Sequence, residues 1–191
     1  ILVTALVAAT GLVVFGAALP IVGGVWSWSA VLLGVASGIS GAIAVGLLYA
    51  CLAIGPMSIL SPLTAVVSAI VPLTVGLIGG ERLGVLGYVA LALALVAIVL
   101  VGFVPERGAV RPSLKGLLMA VGSGIAIGVF LVLIDATPDD SGLVPLVVNR
   151  ATNATIMFAL VAVLALIAWR RGTGPAHGAW RTGLLLAIGC G

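Results

Sequence analysis

Charged side chains are the scarcest feature of this sequence. Only 8 lysines and arginines and 5 aspartates and glutamates occur among 191 residues, so 7% of the chain is charged. Soluble domains usually have about 25% charged residues and about 50% apolar ones. Because 63% of this chain is hydrophobic, it has too few polar groups to cover its surface in water, which excludes an ordinary soluble domain.

Cysteine and histidine are also rare, and this argues against several kinds of catalytic and metal site. Cys51 and Cys190 lie in apolar segments, and no ligand-like spacing joins them to His177, the single histidine. We interpret both cysteines as small buried hydrophobic residues and expect no metal, cofactor or disulfide. The net charge of +3 suits loops beside anionic lipid, and we expect no nucleic-acid partner.

Long apolar runs take the place of charge. A helix needs about 20 apolar residues to cross roughly 30 Å of hydrocarbon. Six runs meet this length, bounded as Ile1–Leu19, Ala30–Ile54, Met57–Gly79, Gly84–Val104, Lys115–Asp135 and Leu143–Trp169, and a seventh begins near Gly183. Only a helix satisfies its own backbone within one such run, and barrel-strand alternation is absent. The prediction is an all-α membrane protein, a polytopic helical bundle.

The two ends of the chain and a weak internal repeat bear on the organisation of the bundle. The chain begins at Ile1 without an initiator methionine and stops at Gly191 inside an apolar run, so we expect a longer protein, truncated at both ends. Trp28 and Trp180 each precede leucines and then a stretch of small residues. If these segments match, the repeat unit is five helices, and an odd unit is inverted relative to its copy.

The basic residues predict an orientation. The loops after the second, fourth and sixth runs carry six of them, namely Arg107, Arg111, Lys115, Arg170, Arg171 and Arg181. The loops after the first, third and fifth runs carry only Arg82, while Asp139 and Asp140 follow the fifth. The positive-inside rule therefore places the first set of loops in the cytoplasm.

The third run contains the strongest pattern of small and polar residues. They recur at three- and four-residue steps and so share one helix face: Ser58, Ser61, Ala65, Ser68, Pro72, Gly76 and Gly79. Close helix packing is one interpretation, because small residues let backbones approach in lipid. A solute path is the other. Pro62 and Pro72 leave the carbonyls of Ser58 and Ser68 without helical partners, and such carbonyls suit a watery cavity.

Arg150 is the one basic residue clearly inside a run, in the outer third of the sixth, near Asn149, Asn153 and Thr155. One interpretation is that its charged end reaches back to the membrane surface. The alternative is a gate or anion anchor paired with Asp135, Asp139 or Asp140, since intramembrane charges are costly and often functional. The glycine pairs Gly34/Gly38 and Gly124/Gly128 indicate packing positions.

An enzyme is the remote alternative. Gly38-Ile39-Ser40-Gly41 matches the GxSG pattern around the nucleophile of intramembrane serine proteases. That chemistry needs a histidine base on a neighbouring helix, and His177 lies in a polar loop. We therefore expect no enzymatic activity and no catalytic residue.

A series of short motifs resembles a known family. Leu48–Pro56 is followed by Ser61-Pro62-Leu63, Val71-Pro72-Leu73 and Gly80-Glu81-Arg82-Leu83. This series resembles the signature of EamA-type transporters in the drug/metabolite transporter superfamily. Asp139–Leu143, with Pro145 and Arg150, is similar to the connection between the sixth and seventh helices of such proteins.

The resemblance implies ten helices in two inverted five-helix repeats. Residues 1–104 would hold helices two to five of the first repeat, 105–114 the linker, and 115–191 the sixth and seventh helices and the start of the eighth. It also implies a secondary transporter that moves a small metabolite or drug by alternating access, multi-pass in the inner (cytoplasmic) cell membrane of a bacterium. A non-transporting membrane scaffold or subunit is the alternative.

We assign candidate site residues on this basis. The substrate path is expected at Tyr49, Ser58, Ser61, Pro62, Ser68 and Pro72, and the gate or anion anchor at Arg150, Asn153 and Asp135. The expected partners are the lipid bilayer, a small-molecule substrate and, as an option left open, a second copy of the chain. The family's cytoplasmic N-terminus implies the orientation opposite to that predicted by the basic residues.

Overall fold

The computed structural model describes residues 2–82, 84–102 and 113–170. These residues form six α-helices: α1 (Leu2–Val22), α2 (Trp28–Ile54), α3 (Met57–Ile78), α4 (Val85–Gly102), α5 (Leu114–Asp135) and α6 (Val144–Arg170). A short 3₁₀ turn, Asp139–Ser141, precedes α6. Helix accounts for 88% of the described residues, which include no strand. The predicted helical class and all six helices are confirmed, and the seventh run near Gly183 lies outside the described residues.

Within the described part of the chain, four helices are long and apolar enough to cross a membrane: α2, α3, α5 and the Val144–Val163 part of α6. The apolar stretches Leu6–Val22 in α1 and Val85–Ala97 in α4 are shorter. Large apolar side chains point outward at many positions, for example Ile78, which is 86% exposed, and Leu86, which is 83% exposed. Helices that are apolar on every side suit lipid and indicate a membrane protein.

Polar turns set several helix ends. The Ser27 hydroxyl accepts a hydrogen bond from the Ala30 N–H at 3.1 Å and caps α2. The Ser113 hydroxyl accepts one from the Gly116 N–H at 3.1 Å and caps α5. At the end of α3, the N–H of Glu81 donates to the Gly76 carbonyl at 3.0 Å. This closure needs Gly80 at φ +93°, a conformation that glycine adopts without strain.

The chain divides into two compact units, one within Ile1–Ala42 and Leu133–Gly191, the other within Ile43–Val132. Helices α2 and α5 contribute residues to both. The expected repeat boundary at 105–114 falls within the range of the second unit, and most of it lies outside the described residues. The two repeats therefore stay a prediction.

In the first unit, α1 and α6 run antiparallel. Gly23, just after α1, lies against Gly142, just before α6. Gly11, in the middle of α1, lies against Arg150, inside α6. The two loops are joined by backbone hydrogen bonds, among them one of 2.9 Å from the Val25 N–H to the Asp140 carbonyl.

The first part of α2 runs parallel to α6 in the same unit, held close by two glycines. A Cβ added at Gly34 would lie 2.9 Å from the Pro145 carbonyl oxygen, and one at Gly38 would lie 2.7 Å from the Thr152 Cβ. Real Cβ atoms do not approach so closely. The first glycine pair is thus a packing contact, as its spacing predicts.

In the second unit, α3 and α5 run parallel. A Cβ added at Gly124 would lie 2.7 Å from the Val67 Cβ, and Gly128 lies against Val71. The second glycine pair is therefore a packing contact too. The last part of α2 joins them through a small core in which Cys51 and Leu60 are buried.

Candidate functional site

Helix α3 packs against α5 through one narrow face, which we call the packing face: Leu60, Thr64, Val67 and Val71. Leu60 and Thr64 are buried, and the Thr64 hydroxyl donates hydrogen bonds to the Leu60 carbonyl at 2.9 Å and to the Ala120 carbonyl at 3.2 Å. The second bond ties α3 to α5. A shared polar contact of this kind is a common link between helices in lipid.

The small and polar residues singled out in the sequence lie on a different side of α3. We call this side the serine face: Ser58, Ser61, Ala65, Ser68, Pro72, Gly76 and Gly79. Four of its members directly follow members of the packing face, which places them about 100° around the helix. Ser61 and Ala65 are exposed, and Ser68 and Pro72 are half-buried. The serine face is therefore not the surface that packs against α5.

Two prolines change the backbone chemistry of α3. Pro62 and Pro72 have no N–H, so the carbonyls of Ser58 and Ser68 lack their usual helical donors. The helix nevertheless continues unbroken from Met57 to Ile78. The Ser68 hydroxyl donates to the Ala65 carbonyl at 2.9 Å and stays on the outside of the helix. The serine face thus offers backbone carbonyls and hydroxyls that a polar solute could contact.

Tyr49, the remaining residue of the predicted substrate path, belongs to the last part of α2 in the same unit. Its side chain is 56% exposed. The nearby Gly46 has open space where a Cβ would stand. This side of α2 is therefore uncrowded. A hydrogen bond from the Tyr49 hydroxyl to α3 is not among the contacts of the described residues.

Arg150 lies about 9 Å along α6 from its first residue, at 1.5 Å per residue. It is half-buried against α1. Its Cδ and Nε would both lie 3.3 Å from a Cβ added at Gly11, so the glycine makes room for the side chain. Its Cζ lies 5.8 Å from the centre of the Phe15 ring, within the range of a cation–π contact.

Among the described residues, Arg150 does not form the ion pair considered in the gate interpretation. Asp135, Asp139 and Asp140 are exposed, and none of them pairs with Arg150 within the described chain. The structure therefore brings Arg150 together with an aromatic ring and a glycine of α1, and not with the acidic loop. Asn153 is half-buried on α6 and its side chain makes no hydrogen bond to another described residue.

No known protein helps to assign a role. Comparison finds no matching family model, no similar curated protein and no similar solved structure.

A buried polar pair beside Arg150 was not among the predicted site residues. The Asn149 side-chain amide donates to the Ser37 hydroxyl at 2.9 Å, and Ser37 donates to the Gly34 carbonyl at 2.9 Å. Asn149 is 5% exposed and Ser37 fully buried. One indication of this pair is present in the sequence: a serine directly before a packing glycine on one helix, and an asparagine on another. Pairing it with Asn149 required knowledge of the α2–α6 contact.

The protease alternative needs Ser40 and His177, and only the first of them lies within the described residues. Ser40 is half-buried within α2, and His177 lies outside the described residues. The described residues also contain no cluster of histidine, cysteine, aspartate or glutamate that could hold a metal ion.

Proposed function

We propose that this chain is part of a secondary transporter, of the EamA type within the drug/metabolite transporter superfamily, that moves a small metabolite or drug by alternating access. The observation that carries the proposal is the separation of two faces on α3. Packing against α5 uses Leu60, Thr64, Val67 and Val71, while the serines and both prolines lie elsewhere on the helix. Packing on α5 therefore does not explain the serine face.

The separation of the two faces matters because α3 is long and apolar enough to span a membrane. A serine or a free carbonyl in hydrocarbon costs free energy unless it meets a polar partner. Two prolines in one spanning helix add two such carbonyls, at Ser58 and Ser68. Prolines within a spanning segment are a pointer to transport sites, where freed carbonyls can face a solute or an ion.

The contact between α1 and α6 also supports the proposal. In the proposed arrangement, α1 is the second helix of the first repeat and α6 the second helix of the second repeat. A two-fold axis in the membrane plane relates such a pair and makes its members antiparallel. The two helices run antiparallel and touch at Gly11 and Arg150.

Counterflow by the full-length protein tests the proposal. Proteoliposomes would be loaded with a panel of amino acids, nucleobases and drugs, and uptake of the labelled compound would be measured against protein-free vesicles. At least one compound is expected to exchange. Pro62→Ala and Pro72→Ala are expected to slow its exchange about tenfold, because each restores an N–H donor to a carbonyl assigned to the solute; this corresponds to about 1.4 kcal/mol.

The matched control is Pro20→Ala, which also removes a proline from within a helix, at an exposed position of α1. It is expected to leave exchange unchanged. If the α3 variants exchange as fast as wild type, the solute path does not use the serine face. If no compound exchanges, the transport assignment itself fails. The non-transporting scaffold then becomes the better account of the same helices.

A further inference from the structure

The charge of Arg150 has no protein partner within the described chain. The sequence holds 5 acidic residues, and four of them, Glu81, Asp135, Asp139 and Asp140, are described. None pairs with Arg150, and the guanidinium donates no hydrogen bond to any described residue. The remaining acid, Glu106, lies outside the described residues. A half-buried guanidinium in an apolar helix is costly unless its donors are satisfied.

The surroundings of Arg150 hold it in place without neutralising it. Gly11 gives it space along α1, and its Cζ lies over the Phe15 ring, 5.8 Å from the ring centre. Neither contact uses an N–H of the guanidinium in a hydrogen bond, so within the described chain its edge is available to an acceptor. That edge is a planar fork that matches the two oxygens of a carboxylate or phosphate.

We propose that Arg150 binds an oxyanion, a carboxylate or phosphate group, on the transported solute. The inference rests on the proposed transport function and adds a substrate class to it. The phosphate of a lipid headgroup has the same chemistry, and the guanidinium would meet it if the side chain reached the membrane surface. The experiment must therefore separate a soluble anion from lipid.

Protection from an arginine reagent makes this separation. The full-length protein in uncharged maltoside micelles would be treated with phenylglyoxal, and modification of Arg150 read by peptide mass spectrometry. Benzoate or inorganic phosphate at saturation is expected to slow the reaction about tenfold, because a bound anion occupies the N–H groups that the reagent must reach. The neutral analogue benzamide is expected to give no protection. Arg82 and Arg170, both exposed, serve as internal controls.

Two results overturn the proposal. One is an equal rate of Arg150 modification with and without the soluble anions. The other is protection that appears only after phosphatidylglycerol is added to the micelles, which assigns Arg150 to the lipid headgroup. Neither result depends on counterflow. The anion site and the transport function therefore fail separately, since the first is read by binding and the second by exchange.

Binding of labelled benzoate to variants gives an independent readout. Arg150→Gln is expected to lose binding at least about tenfold, and Arg150→Lys to weaken it several-fold because an ammonium lacks the planar fork. Gly11→Ala is expected to weaken it as well, by displacing the side chain that it would touch. Gly16→Ala is the matched control on α1, since a Cβ there meets open space. Wild-type binding by Arg150→Gln would contradict the assignment.

Discussion

Among single residues, hydrogen bonds donated by side chains to a backbone carbonyl or to another side chain tie the helices together. Thr64 donates to the Ala120 carbonyl, Ser123 to the Ala44 carbonyl at 2.8 Å, and Asn149 to Ser37. None of these contacts was predicted from the sequence. A threonine or serine in an apolar run shows no preference for one partner, because local bonding to its own helix is always available. The position of the neighbouring helix determines which acceptor the hydroxyl meets, and the sequence does not show which helix is the neighbour.

The pair between Asn149 and Ser37 makes a residue-scale prediction. Asn149→Ala is expected to lower the free energy of unfolding by about 1 kcal/mol, since interhelical bonds in membranes average about 0.6 and reach about 1.7 kcal/mol. Denaturation of the full-length protein in mixed micelles measures it. Ser37→Ala in the same protein is expected to add less than its separate effect, because the two side chains share one bond.

Thr155→Ala is the control for that pair. Thr155 is exposed on α6, and its hydroxyl donates only to the Ala151 carbonyl of its own helix, at 2.8 Å. Its loss is expected to change stability by a few tenths of a kcal/mol at most. Equal effects of Asn149→Ala and Thr155→Ala would show that the buried pair adds no stability.

For the helices, the sequence predicts well that each one forms. It predicts poorly which side of each helix packs against a neighbour. Apolar runs of about 20 residues predict spanning helices because lipid permits few other structures. The glycine pairs correctly marked packing positions, but their partners, Thr152 of α6 and Val67 of α3, followed only from the fold. The serine face was read as one side of α3. Whether that side packs or stays free depended on where both α4 and α5 lie, since α3 contacts each of them.

We predict that water reaches the serine face of α3. In a protein with Cys51 and Cys190 replaced, Ser61→Cys and Ser68→Cys are expected to react with a charged thiosulfonate, because only a thiol in contact with water ionises. Ile70→Cys is the matched control. It is 40% exposed, but it lies on the opposite flank of the packing face, where we expect lipid.

The rate of modification in membranes shows whether the serine face lines a solute path or faces lipid. Ser61→Cys and Ser68→Cys are expected to react at least about tenfold faster than Ile70→Cys, a ratio worth about 1.4 kcal/mol in local ionisation and access. Equal, slow reaction at all three positions would place the serine face in hydrocarbon. The serines would then be satisfied by their own helix, as Ser68 is by Ala65, and would have no role in transport.

For the molecule as a whole, two expectations about its orientation in the membrane disagree. Six basic residues follow the second, fourth and sixth helices, and one follows the others. The family resemblance implies the reverse orientation. Near the membrane surface, each lysine or arginine contributes about 1 kcal/mol of attraction to anionic lipid. A difference of five basic residues is large on that scale, so we predict that the basic side faces the cytoplasm.

Single cysteines on opposite sides test that prediction in intact cells. Met57 is exposed at the start of α3, on the side of the basic loops, and Ala136 is exposed just after α5, on the other side. An impermeant maleimide is expected to label Ala136→Cys in intact cells and Met57→Cys only after permeabilisation. The opposite pattern would favour the topology that the resemblance implies. It would also mean that these basic loops do not set the orientation, since charges on one segment can be overruled by another.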